Sequence, residues 1–224
     1  MLKIFIGVTI YTVFLSFYNN LIFIEIIIRL AQIIIFIFIF YHLKLNDKNS
    51  FRVFKFEYFS IFIISLTLYF CYSVSFYKIC ILNDFLTKPN HPFESIDKII
   101  LMIVIVPISE EVFYRGLFFN LIKRNNQKNY LIPIIITSTF FSIYHFDFSI
   151  NFFDNFVFSV IVTSLYIKFK NLYYSIFFHV LTNYVISTSF IYYVLNLNVN
   201  YYVLIVIAIT SILILFNILK KVKT

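Results

Sequence analysis

Two groups of residues in this chain carry side chains able to do acid–base chemistry from within apolar surroundings. The first is PISEEVFYRGLFFN, Pro107 to Asn120, where Glu110, Glu111 and Arg115 stand among Ile, Leu, Val and Phe. A charged side chain at the centre of a membrane helix costs roughly 2.5–3.5 kcal/mol on the insertion scale, so three of them in one segment call for a function. Glu111 and Arg115 are four residues apart with the acid first, the favourable helical order for mutual neutralisation. Glu110 is left over. It lies about 100° round the helix from Glu111, and a buried carboxylate without its own cation is the form a general base takes.

The second group supplies partners. Of the four His, His42 ends an apolar run and His91 falls in a loop, whereas His145 and His179 lie inside apolar segments. A lone His on an apolar face is more often structural; two of them beside an unpaired Glu favour a site. His145 closes FFSIYH with Phe141 four residues before it, and His179 and Asn183, in HVLTN, are four apart and share one helical face. Counting the helical rise from the basic ends of their segments puts Glu110 roughly 18 Å deep, His145 roughly 21 Å, His179 roughly 10 Å and Asn183 roughly 16 Å. These depths let the four share one layer without by themselves bringing them into contact.

The elements that must position them are membrane spans. The 224 residues are 62% hydrophobic and only 12% charged, with 32 Phe and 18 Tyr, too few polar side chains to cover a water-soluble domain of this length. About eight spans follow from the hydropathy, each of roughly 20 mostly apolar residues. They run over Lys3 to Tyr18, Leu21 to Tyr41, Tyr58 to Leu82, Ile96 to Ile122, Leu131 to His145, Phe152 to Ile167, Leu172 to Tyr193 and Tyr201 to Leu219. The first resembles a signal peptide in its leading Lys3, but no small-residue cleavage site follows before Asn19, so it counts as a span. Every second connection is basic: Lys44, Lys48, Arg52 and Lys55; Lys123, Arg124 and Lys128; Lys168 and Lys170; then Lys220, Lys221 and Lys223. That alternation places both termini in the cytoplasm and accounts for the net charge of +8 without nucleic acid.

Other features have plainer readings. Glu25 and Arg29 form a second pair four residues apart, self-neutralising near the outer face. Cys71 and Cys80 are about 13 Å apart along one helix, too far for a disulfide, and read as buried apolar-like residues. Pro107 removes a backbone donor inside the fourth span and crowds the Ile103 carbonyl, which predicts a kink just before the Glu pair. Without an internal repeat or low-complexity tract, the chain reads as one polytopic domain, 1–224.

The order EExxxR (Glu110, Glu111, Arg115), FxxxH (Phe141, His145) and HxxxN (His179, Asn183) resembles the CPBP intramembrane proteases, the group containing the Rce1-type CAAX prenyl endopeptidases and the Abi and bacteriocin-immunity proteins. Gly116 after Arg115 matches the family's RG step, and the resemblance covers residues 95–190. It implies an all-α, Rce1-like bundle of about eight helices around an intramembrane cavity. The chain departs from the family at STFFSIYHF, where Phe and Tyr replace small residues. The implied activity is an intramembrane endopeptidase: Glu110 with His145 activates a water, and His179 and Asn183 donate to the oxyanion. Glu111 and Arg115 become supporting residues. A zinc-dependent version would use Glu110, His145 and His179 as ligands of Zn or another divalent ion, two His and one Glu being a known catalytic set; the resemblance favours no metal. The implied partners are the lipid bilayer and a membrane-embedded or lipid-modified peptide or protein. The location is an integral-membrane one, the cell membrane for a bacterial source. A non-catalytic immunity or peptide-binding protein and a proton-coupled transporter are the competing classes; against transport, there is no inverted repeat and no Gly-interrupted helix pair.

Overall fold

The computed structural model of the chain describes residues 22–42, 58–83, 96–125, 129–145, 150–187 and 199–220. Among them there is no strand, and the chain is an all-α membrane protein. In chain order the helices are α1 Ile22–His42, α2 Phe59–Leu82, a composite α3 over 96–125, α4 Leu131–Tyr144, α5 Ile150–Phe169, α6 Leu172–Ser187 and α7 Tyr201–Lys220. They overlap seven of the expected spans; Lys3 to Tyr18, and the part of Leu172 to Tyr193 beyond Ser187, lie outside the described residues. Four helical stretches are long and apolar enough to cross a membrane, Ile24–His42, Phe59–Leu82, Asn151–Phe169 and Tyr201–Ile218, while Leu131–Tyr144 and Leu172–Ile186 are shorter and apolar. Their outer faces are apolar as lipid contact requires: Ile34 and Phe38 on α1 are each 69% exposed.

Asparagines set the starts of the later helices. The Oδ1 atoms of Asn129, Asn171 and Asn200 accept the N–H groups of Leu131, Tyr173 and Tyr202, supplying partners to donors that a helix start leaves open. Between α5 and α6 the chain turns at Lys170, whose φ of 48° is left-handed and costs a non-glycine residue about 1–2 kcal/mol. That turn brings the two helices back against each other, and α4 packs along α5, α1 along α3, and α7 along α2. The interior is largely aromatic: Tyr69 of α2 lies 5.5 Å from Phe158 of α5 and 5.7 Å from Phe178 of α6, centroid to centroid.

The composite α3 alternates α and π geometry. An α-turn over Ile96–Ile100 opens into a π segment, Leu101–Ile105; regular helix resumes over Val106–Glu111, a second π segment spans Val112–Phe119, and α geometry returns at Asn120–Asn125. The expected disturbance therefore precedes Pro107, which opens the regular segment carrying both Glu. The Val106 N–H donates to Leu101 O, five residues back, and carrying that register one residue on pairs position 107 with Met102 O.

The expected Glu25–Arg29 pair is present, with Arg29 Nη2 4.0 Å from Glu25 Oε1, and Arg29 Nη1 also donates to Tyr144 Oη at 3.1 Å, tying α1 to the end of α4. The expectation that both cysteines are buried is corrected. Both cysteines are free, but only Cys80 is buried; Cys71 faces outward from α2, where a thiol sits comfortably against lipid.

Candidate active site

The regular turn between the two π segments presents Glu110 and Glu111 inward, 5% and 0% exposed. Arg115 is fully buried one turn on, and its Nη1 donates to Glu111 Oε1 at 2.8 Å. The rest of the guanidinium is held by α5: Nε donates to Thr163 Oγ1 at 3.3 Å, and Nη2 to Ser159 Oγ at 2.9 Å and Ser159 O at 3.2 Å. Its carbon lies 5.0 Å from the centre of the Phe141 ring. A planar five-donor fork is the group suited to so many simultaneous partners in one plane.

Glu111 Oε1 has a second donor from another helix. His179 of α6 places Nδ1 2.9 Å from it and Nε2 3.9 Å from Glu110 Oε2. The carboxylate paired with Arg115 accepts only, so the Nδ1–H donates and the ring's tautomer and rotation are set with Nε2 turned to Glu110. Phe158 and Phe141 wall this imidazole, with ring centroids 4.8 and 6.0 Å away. Water is thereby kept from a 4% exposed histidine, and the charges near it act through a low dielectric.

His145 lies on the other side of Phe141. It ends α4, is exposed, and its ring sits 4.6 Å from that of Phe141. Its Nδ1 is 2.8 Å from Phe141 O; a carbonyl accepts only, so Nδ1 carries the proton and Nε2 presents a lone pair. His145 makes no ion pair or hydrogen bond with Glu110 among the described residues. Asn183, one turn past His179, uses Nδ2 to donate to Met102 O at 3.0 Å in the first π segment. Thus Glu110, Glu111, Arg115 and His179 are joined directly, His145 through Phe141, and Asn183 through the backbone of α3.

Residues 92–185 match the family model described as Type II CAAX prenyl endopeptidase Rce1-like. This segment is similar to the Rce1-like family. No curated protein and no solved structure matches the chain. The Rce1-like segment takes in all three motifs, from Glu110 to Asn183, and the family supports a CAAX-type intramembrane protease in general terms.

Inside the matched segment the three donors of a zinc site do not gather. Among the described residues no three His, Cys, Asp or Glu side chains stand close enough to ligate one ion. Glu110 and His179 approach each other while His145 remains beyond Phe141, so these three side chains as arranged do not fit a shared zinc ion. Ser159 and Thr163 are the residues that sequence reasoning missed. Their spacing of four in an apolar span, which aligns two small hydroxyl side chains on one helical face, was the available signal.

Proposed function

We propose that the chain is an intramembrane endopeptidase that hydrolyses a peptide bond near the lipid-modified end of a prenylated or otherwise membrane-embedded peptide. The observation that carries this reading is the 3.9 Å approach of Glu110 Oε2 to His179 Nε2 inside a buried site, with His179 fixed from behind by Glu111. The Rce1-like segment supports the substrate class.

In this reading Glu110 takes a proton from water, and the hydroxide adds to the scissile carbonyl carbon. His145 orients that water through its Nε2 lone pair, its Nδ1–H being held by Phe141 O. The tetrahedral oxyanion is met by His179 Nε2, which donates when both ring nitrogens carry protons, and by the second N–H of Asn183. Glu110 then returns its proton to the amine nitrogen as the C–N bond breaks, leaving a carboxylic acid and a free amine. Glu111 and Arg115 touch no reacting atom; they fix His179 and α3.

The test is mass spectrometry of a farnesylated C-terminal peptide incubated with the full chain in lipid vesicles. Two fragments whose masses sum to substrate plus one water support endopeptidase action. Intact peptide over many hours with folded protein contradicts it.

A further inference from the structure

The proline of PISEE and the asparagine of HVLTN, 76 residues apart, meet at one carbonyl group. Val106 N–H donates to Leu101 O, so the π register assigns the next donor, at position 107, to Met102 O. Position 107 is proline and has no N–H. Asn183 Nδ2 occupies the place of that missing donor, 3.0 Å from Met102 O. We propose that Asn183, besides the oxyanion contact of its second N–H, replaces the N–H Pro107 lacks, and that this bond holds the π-to-α switch aiming Glu110 at His179.

Three observations beyond the distance support it. A backbone carbonyl deprived of its partner within a membrane helix needs another donor, and a neighbouring helix is the usual source. An asparagine amide also meets carbonyls of the second π segment: Asn120 Nδ2 lies 3.0 Å from Arg115 O and 2.8 Å from Gly116 O, with Tyr166 Oη at 2.8 Å. Each π segment flanking the Glu-bearing turn therefore has a carbonyl met by an asparagine amide. Asn183 also sits one turn from His179 on α6, so a bond from α6 to Met102 fixes that helix against α3 next to the Glu110–His179 approach. The amide has two N–H groups, and only one is used on Met102. The kinetic consequence of this bond rests on the proposed protease reading, whereas its effect on stability does not require cleavage.

The experiment is a double-mutant cycle on the full chain in lipid nanodiscs with Asn183→Leu and Pro107→Ala. Asn183→Leu alone is expected to lower Tm by about 2–4 °C, the loss of one hydrogen bond in a chain of this size. In the Pro107→Ala background the restored backbone N–H at position 107 reaches Met102 O, and the same Asn183→Leu change lowers Tm by clearly less. Where cleavage is measured, kcat falls on the order of 10- to 100-fold with KM unchanged, and Pro107→Ala recovers part of that loss. Equal Tm losses from Asn183→Leu in both backgrounds overturn the proposal. A parent chain that cleaves nothing counts against the protease reading alone.

Discussion

Glu111 and His179 are joined by a 2.9 Å hydrogen bond from Nδ1 to Oε1, and that same oxygen receives Arg115 Nη1 at 2.8 Å. One buried carboxylate thus orients the imidazole and neutralises the guanidinium. Glu111→Leu is expected to lower kcat by about 10- to 100-fold through loss of the histidine's orientation. Glu111→Gln, whose amide oxygen still accepts from both donors, keeps the larger share. Single-turnover cleavage of the two variants checks the order; equal activity contradicts it.

Arg115 has its own consequence. Removing one partner of a buried ion pair leaves the other uncompensated, and Arg115→Met should destabilise the protein by about 3–5 kcal/mol. Arg115→Lys should recover little, because one ammonium cannot reach Glu111, Thr163 and Ser159 together. Denaturant unfolding in detergent measures both, and the double variant Arg115→Met/Glu111→Leu should be more stable than Arg115→Met.

The glycine after Arg115 should tolerate a methyl group. A Cβ at Gly116 would meet Leu172 Cδ2 at 3.7 Å and Glu111 O at 4.0 Å, ordinary contact distances. Gly116→Ala is therefore expected to fold, with helix propensity favouring Ala by up to about 1 kcal/mol. A Tm at or above that of the parent bears this out; a large drop shows that the π segment needs the glycine for another reason.

What the sequence made legible followed from local geometry. The i,i+4 spacing exposes the Glu111–Arg115 pair and leaves Glu110 as the unpaired acid, and hydropathy locates α1 to α7 because a membrane span is long and chemically uniform. The Glu111–His179 bond joins residues 68 positions apart and needs helix packing that no local spacing encodes. Depths counted along the chain assume a uniform α-helical rise, which two π segments in α3 alter. Glu25 and Arg29 keep the i,i+4 pairing at 4.0 Å, whereas the 3.1 Å bond from Arg29 to Tyr144 reaches another helix and is not encoded in that spacing.

Metal dependence is the next discriminating property. With Glu110 activating the water, no step passes through an ion. Cleavage is expected to persist after dialysis against a strong chelator and to show no stimulation by added zinc. Loss on chelation with recovery on adding zinc would require Glu110, His145 and His179 to move together and close around an ion.

The central claim is that Glu110 moves the proton. Its most direct test is kcat/KM for a farnesylated peptide with the parent chain and with Glu110→Gln, beside the Tm of each. The predicted result is a fall of about 10²–10⁴-fold, the usual contribution of general acid–base catalysis, with Tm within a few degrees of the parent. A Glu110→Gln protein that cleaves within a few-fold of the parent would contradict it.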